Sequence, residues 1–154
     1  MRRIFAAIGA ALLCASGGAA VVAPTVDQAL VESDAMPPKL SAFGLFRGND
    51  PAQPATGIGY TLRAPLFSDY TDKHRFISIP AGKKAKVGSD GVIDFPVGTV
   101  LVKSFGWNDV GGGRPIETRL LIHRASGWVA LPYIWDADGK DATLALGGRR
   151  VPVS

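Results

Sequence analysis

The chain predicts an all-β fold, either an antiparallel β-sandwich or a jelly-roll-like open barrel with long loops, behind an N-terminal signal peptide. Three observations carry that reading. Residues 116–123 alternate: Ile116, Thr118, Leu120 and Ile122 fall on one face, and Glu117, Arg119, Leu121 and His123 on the other. Residues 99–105 are β-branched and apolar, and follow the turn Pro96-Val97-Gly98. Turn signals then recur at short intervals, among them Asp90-Gly91, Gly127 and Gly147-Gly148. Roughly seven to nine short strands with such punctuation fit a sandwich or open barrel. Neither a long amphipathic helix nor an internal repeat competes with it.

From the N-terminus, Met-Arg-Arg precedes an apolar run and then Ser16-Gly-Gly-Ala-Ala20. A positive start, a short apolar core and a small-residue exit are the parts of a secretory signal, with cleavage expected after Ala20. A helix over residues 4–15 would be only about 18 Å long, against a hydrocarbon core of about 30 Å. The expected destination is the periplasm or the medium, with no stable membrane span after cleavage. The alternative is anchoring by an uncleaved N-terminal segment.

Residues 21–38 read as a linker with a helical turn near 26–31, since Pro24, Pro37 and Pro38 interrupt it. Residues 39–154 read as a single β-rich domain. Within it, 39–46 (KLSAFGLF) is expected to dock on the domain and 47–59 to be a loop. Short strands are expected at 60–63 and 75–79, with turn formers at 65–73 between them. Residues 85–87 and 92–95 flank a hairpin turn, and 108–114 form a glycine-rich loop. A strand at 128–135 is interrupted at Pro132, and 142–146 pairs with 149–153 around Gly147-Gly148. A last strand reaching the end of the chain is the signature of an edge strand or of a product truncated at its C-terminus.

Four blocks in this order carry a resemblance: Pro65-Leu-Phe-Ser-Asp-Tyr70 with Lys73-His-Arg-Phe76; Asp94-Phe-Pro-Val-Gly-Thr-Val-Leu-Val-Lys103; Ile116-Glu-Thr-Arg-Leu-Leu-Ile-His123; and Leu131-Pro-Tyr-Ile-Trp135. Together they resemble the N-terminal half of a bacterial family of diheme c-type cytochromes, over roughly residues 38–148. The resemblance implies an extracytoplasmic module of an electron-transfer protein, with a c-type cytochrome domain or another periplasmic protein as partner. Longer relatives continue into a Cys-x-x-Cys-His segment, which this chain lacks. No cofactor is therefore expected in this chain; haem would come only from a further C-terminal segment or from a partner.

Composition narrows the chemistry. The chain has 17 basic and 13 acidic side chains, and loss of Arg2 and Arg3 with the signal leaves 15 against 13. No basic stripe interleaves with aromatics as a nucleic-acid groove requires. Lys83, Lys84 and Lys86 read as a solvated strand edge. The only cysteine is Cys14, inside the signal, so the mature domain has no disulfide, thiolate nucleophile or cysteine ligand.

The remaining candidates each have a plain alternative. The two histidines, His74 and His123, would need Asp69 and a meeting across strands to hold a metal; hydrogen-bonded surface histidines are the default. Either could in principle be an axial ligand to haem held by another domain. Ser68, Asp69 and His74 lie close in sequence, but a triad is recognised by geometry, and turn formation explains Ser68 and Asp69. Asp136, Asp138 and Asp141 match part of a calcium loop without its bidentate glutamate. Glu117 and Arg119 share a face about 7 Å apart, as a structural ion pair, with Arg75 a further partner. Trp107, Trp128, Tyr133 and Trp135 could stack on a sugar or small ligand, although core packing is the commoner use. Three functions follow in order: a non-catalytic docking or scaffolding module, a stand-alone carbohydrate or small-molecule binding domain, and a metal-dependent enzyme.

Overall fold

A computed structural model describes residues 25–48, 50–107 and 114–152. The signal-peptide reading, Cys14 and the loop read at 108–113 lie outside the described residues. Among the described residues the strands are β1 (Ile58–Gly59), β2 (Asp72–Ser78), β3 (Lys86–Val87), β4 (Ile93–Asp94), β5 (Val100–Gly106), β6 (Pro115–Arg124), β7 (Gly127–Trp135) and β8 (Ala142–Leu144). Six of them form one antiparallel sheet in the order β1-β2-β5-β6-β7-β8, and β3 pairs with β4 in a separate hairpin. The fold is all-β and antiparallel. The sheet is not closed into a barrel. Its opposing layer is built from the N-terminal segment.

Strand parity fixes what each face carries. Cross-strand rows on the inner face run Ser78–Val100–Ile122–Val129, Phe76–Val102–Leu120–Leu131 and His74–Ser104–Thr118–Tyr133. The apolar members of these rows meet Val31, Leu40, Phe43, Leu45 and Phe46 in one core. Phe46 packs edge-on against Phe76 at 5.6 Å and against Trp135 at 6.3 Å. The polar row is satisfied inside: the Ser104 and Thr118 hydroxyls are 2.8 Å apart, and Trp135 Nε1 donates to Thr118 Oγ1 at 2.9 Å.

Over its described part the 21–38 segment carries the expected helical turn, but it packs on the domain and does not stand clear of it as a linker. Residues Gln28–Glu32 form helix α1, N-capped by the Asp27 carboxylate, which accepts from Leu30 N at 2.9 Å. Val31 is fully buried and Val26 and Leu30 pack on the core. Burial of one helical face outweighs the prolines that suggested a linker. Residues 39–46 dock as expected, through the 3₁₀ turn Leu40–Phe43. Gly44 ends that turn at φ 64°, and a Cβ there would collide with the Thr25 carbonyl oxygen, so the position requires glycine.

Arg124 locks this layer down. It continues the inward parity of β6 and is only 3% exposed. Its Nε donates to Val31 O at 3.3 Å and its Nη2 to Ala35 O at 2.7 Å, taking up carbonyls at the end of α1. Tyr133 adds a second tie, donating its hydroxyl to Pro37 O at 2.9 Å.

Three strand readings change. The strand expected at 60–63 lies instead at Ile58–Gly59, paired with Ile77 and Phe76. Strand β7 is not interrupted at Pro132, which pairs with Arg119. The Pro132 carbonyl accepts from Ala145 N, so its missing N–H faces the β8 side, beyond the last paired residue Leu144, and the ladder with β6 loses nothing. The C-terminal hairpin does not form: β8 ends at Leu144, Gly148 N closes a turn on Ala145 O, and 149–152 pairs with no strand. Among the described residues no helix is long and apolar enough to cross a membrane.

Candidate functional site

The outer face of the sheet is the less covered one: Arg119, Leu121 and Ala130 are exposed, most of their row neighbours are half-buried, and Ile134 on β7 is buried. Its rows follow from the same register: Lys73–Phe105–Glu117–Ile134, then Arg75–Lys103–Arg119–Pro132, then Ile77–Leu101–Leu121–Ala130. Neighbouring strands lie about 4.8 Å apart, so Arg75, Lys103 and Arg119 stand side by side across three strands. Lys73 adds a fourth cation one row away. Lys103 Nζ lies 4.6 Å and Arg119 Cζ 5.0 Å from the Phe105 ring centroid, so the ring holds both charged heads over the sheet.

One carboxylate sits among these cations. Glu117 receives both guanidinium arms of Arg119, Nε at 2.7 Å and Nη2 at 2.9 Å. This is the ion pair expected from the sequence, with Arg75 outside it. Among the described residues Lys73, Arg75 and Lys103 form no ion pair. The Lys103 ammonium is held below the ordinary lysine range, first by loss of water around it and then by repulsion from Arg75, Arg119 and Lys73.

Two apolar flanks border the charges. On one side lie Ile77, Leu101 and Leu121, with Leu121 40% exposed. On the other is the loop before β2, where Leu66, Phe67 and Tyr70 are 82%, 70% and 87% exposed. That loop has a fixed shape. Thr71 N and Oγ1 both donate to Ser68 O, Trp107 Nε1 donates to Asp69 O at 3.2 Å, and Lys73 Nζ donates to Leu66 O at 3.2 Å. Asp69 and Tyr70 sit at φ 45° and 58°, left-handed values that a bulky tyrosine adopts only where its surroundings impose them. Phe67 and Tyr70 meet edge to face at 5.0 Å.

The predicted polar candidates divide between places. Arg75, Glu117 and Arg119 come together on the outer face. Asp69 contributes a backbone carbonyl to the loop. His74 lies on the inner face, at the rim of a cleft of about 400 Å³ beside Asp50 and Asp72. His123 lies on the outer face at the far end of β6, its Nδ1 2.7 Å from Phe95 O and its ring stacked on Trp128 at 4.6 Å. The two histidines therefore stand on opposite faces and cannot share a metal or one haem iron. No cluster of three metal-ligating side chains occurs among the described residues. Ser104, the cross-strand neighbour of His74, is engaged by Thr118, and that leaves the cleft without a free hydroxyl on that row.

The aromatic platform is likewise divided. Tyr133 is fully buried and Trp135 is 5% exposed, so both are core residues unavailable for stacking. Trp107 supports the loop, and Trp128 lies at the His123 end. The aspartate loop is occupied internally: Asp136 binds Lys39 at 2.7 Å, Asp138 binds Lys140 at 3.2 Å, and the Asp141 carboxylate accepts from Ser41 Oγ and Ala142 N. Lys39 and Thr143 hold the Asp136 carboxyl below its usual range.

Lys73, Lys103 and Phe105 are the members of this surface that no sequence motif picks out. The signal was present, because inward Val100, Val102 and Ser104 force Leu101, Lys103 and Phe105 outward. Compared with family models, curated proteins and solved structures, the chain finds no match.

Proposed function

We propose that this chain is an exported, non-catalytic docking module that works beside a c-type cytochrome domain or another periplasmic protein. The observation that supports this best is the asymmetry of the sheet. One face is covered over its apolar rows by α1 and residues 39–46, and the other carries four cations, Phe105 and two apolar flanks that are half-buried or exposed. Arginine and aromatic side chains are the residue types enriched where proteins meet, and Arg75, Arg119 and Phe105 supply them on this face. The four-block resemblance supplies the expected kind of partner. A sugar-stacking role loses support because two of its four rings are core residues. An enzymatic role has neither a paired nucleophile and base nor a ligand cluster among the described residues to rest on.

Site-specific photo-crosslinking in the periplasm tests this reading. A crosslinker at Leu121, on the outer face, should give a discrete adduct, and haem staining of that adduct separates a cytochrome domain from another periplasmic partner. A crosslinker at Ala29, exposed on the helix that covers the opposite face, should not. Equal adducts from both positions, or none from Leu121, would overturn it.

A further inference from the structure

We infer that the partner meeting the outer face is a protein surface rich in carboxylates with apolar side chains beside them; this rests on the docking reading above. The cationic row sets the charge. Arg75, Lys103 and Arg119 point the same way from three adjacent strands, with Lys73 one row off, and the single carboxylate of Glu117 is bound to Arg119 and only partly offsets Lys103. Four cations against one carboxylate leave a net positive, self-repelling row that a further anion would relieve. Loss of water lowers the Lys103 ammonium first, and the further lowering by its cationic neighbours is the mark of that repulsion.

The flanks identify the anion's carrier. A lone small carboxylate would need only the cations. Here Leu101 and Leu121 continue the surface on one side, and the loop tip of Leu66, Phe67 and Tyr70 continues it on the other. Lys73 joins the two parts, since its ammonium belongs to the charged patch and donates to Leu66 O. Because Thr71 and Trp107 hold the backbone carbonyls of Ser68 and Asp69, the loop backbone is set before any partner arrives, which lowers the entropy cost of binding. A polynucleotide is a poorer occupant. The cationic row crosses only three strands, about 10 Å, and Phe67 and Tyr70 face each other edge-on and offer no stacking ladder.

The test uses the full chain and a short fluorescein-labelled peptide rich in glutamate and leucine, read by anisotropy. A copy with glutamine in place of glutamate is the control. The acidic peptide should bind more tightly than its glutamine copy by about tenfold or more, and should weaken as salt rises. Arg75→Glu with Lys103→Glu should abolish binding. Lys83→Glu with Lys84→Glu, on exposed cations outside the six-stranded sheet, should leave it unchanged. Should the double reversal fail to fold, Arg75→Gln with Lys103→Met must still weaken binding about tenfold. Equal binding of the two peptides, or an equal loss from the Lys83/Lys84 reversal, would overturn the inference. So would binding to phosphatidylserine vesicles through Arg75 and Lys103 without binding to the peptide, since a membrane would then be the acidic surface. A haem-staining adduct from Leu121 alongside a failed peptide assay would retain docking and reject the acidic partner. Peptide binding without that adduct would retain anion recognition and reject the cytochrome partner.

Discussion

Leu120 and Leu121 are neighbours in one strand with opposite fates. Leu120 is 1% exposed under Phe43 and its companions, and Leu121 is 40% exposed on the bare face. The same contrast holds for the whole sheet. On the inner face even the buried polar groups are consumed: Ser104, Thr118 and Arg124 all have partners within the chain. On the outer face three of four cations have no carboxylate among the described residues. A face that satisfies its own polar groups is built for stability, whereas a face that leaves like charges crowded carries a cost that stability does not explain.

The largest test of that contrast is the leucine pair. Leu120→Ala should cost about 2–5 kcal/mol in urea unfolding, and Leu121→Ala about 0.5 kcal/mol or less. Similar losses at both positions would mean that the outer face is covered within the chain itself. Arg124→Met comes next. It leaves the Val31 and Ala35 carbonyls without their charged donor, and should cost about 2–3 kcal/mol while speeding amide exchange in α1. An effect confined to the β6–β7 turn would break the claim that Arg124 fastens the N-terminal layer.

Tyr133→Phe removes one hydrogen bond and should cost about 1 kcal/mol. It also has a pH signature. Burial pushes the Tyr133 phenol up to about 12, above the ordinary value near 10. The unfolded chain therefore loses this proton first, and the stabilisation present below pH 10 is lost as pH rises towards 12. The difference between wild type and Tyr133→Phe should shrink across that window and stay constant below it. The smallest effect belongs to the outer face. Lys103→Met removes a self-repelling charge and should leave stability within about 0.5 kcal/mol of wild type, shifted towards stabilisation.

The sheet was legible where alternation ran long enough to fix parity. Residues 116–123 assigned both faces of β6 correctly, and the same parity carried one step further places Arg124 inside. A charged side chain at a strand end reads by default as solvated, and only the distant carbonyls of α1 make it otherwise. Tyr133 and Trp135 share parity with Leu131 and were legible as core, but aromatic side chains suit a core and a binding platform equally from sequence. The covering layer was legible only in part, as a helical turn near 26–31 and a docking segment at 39–46, and a helix of five residues is too short to show by its period that Val31 is buried. The cationic row depends on register between β2, β5 and β6, and no single strand contains it.

The most direct measurement of the two-face account is thiol labelling in place. In a Cys14→Ser background, which removes the only native thiol, Leu121→Cys and Ala29→Cys each report one side of the molecule. Purified protein should label readily at both positions. In the periplasm the Leu121→Cys thiol should be protected by about tenfold or more, as expected of a site within a specific interface, while the Ala29→Cys thiol labels at its purified rate. Equal labelling rates at Leu121→Cys in the two settings would contradict the account, because the outer face would then remain bare in the compartment proposed for it.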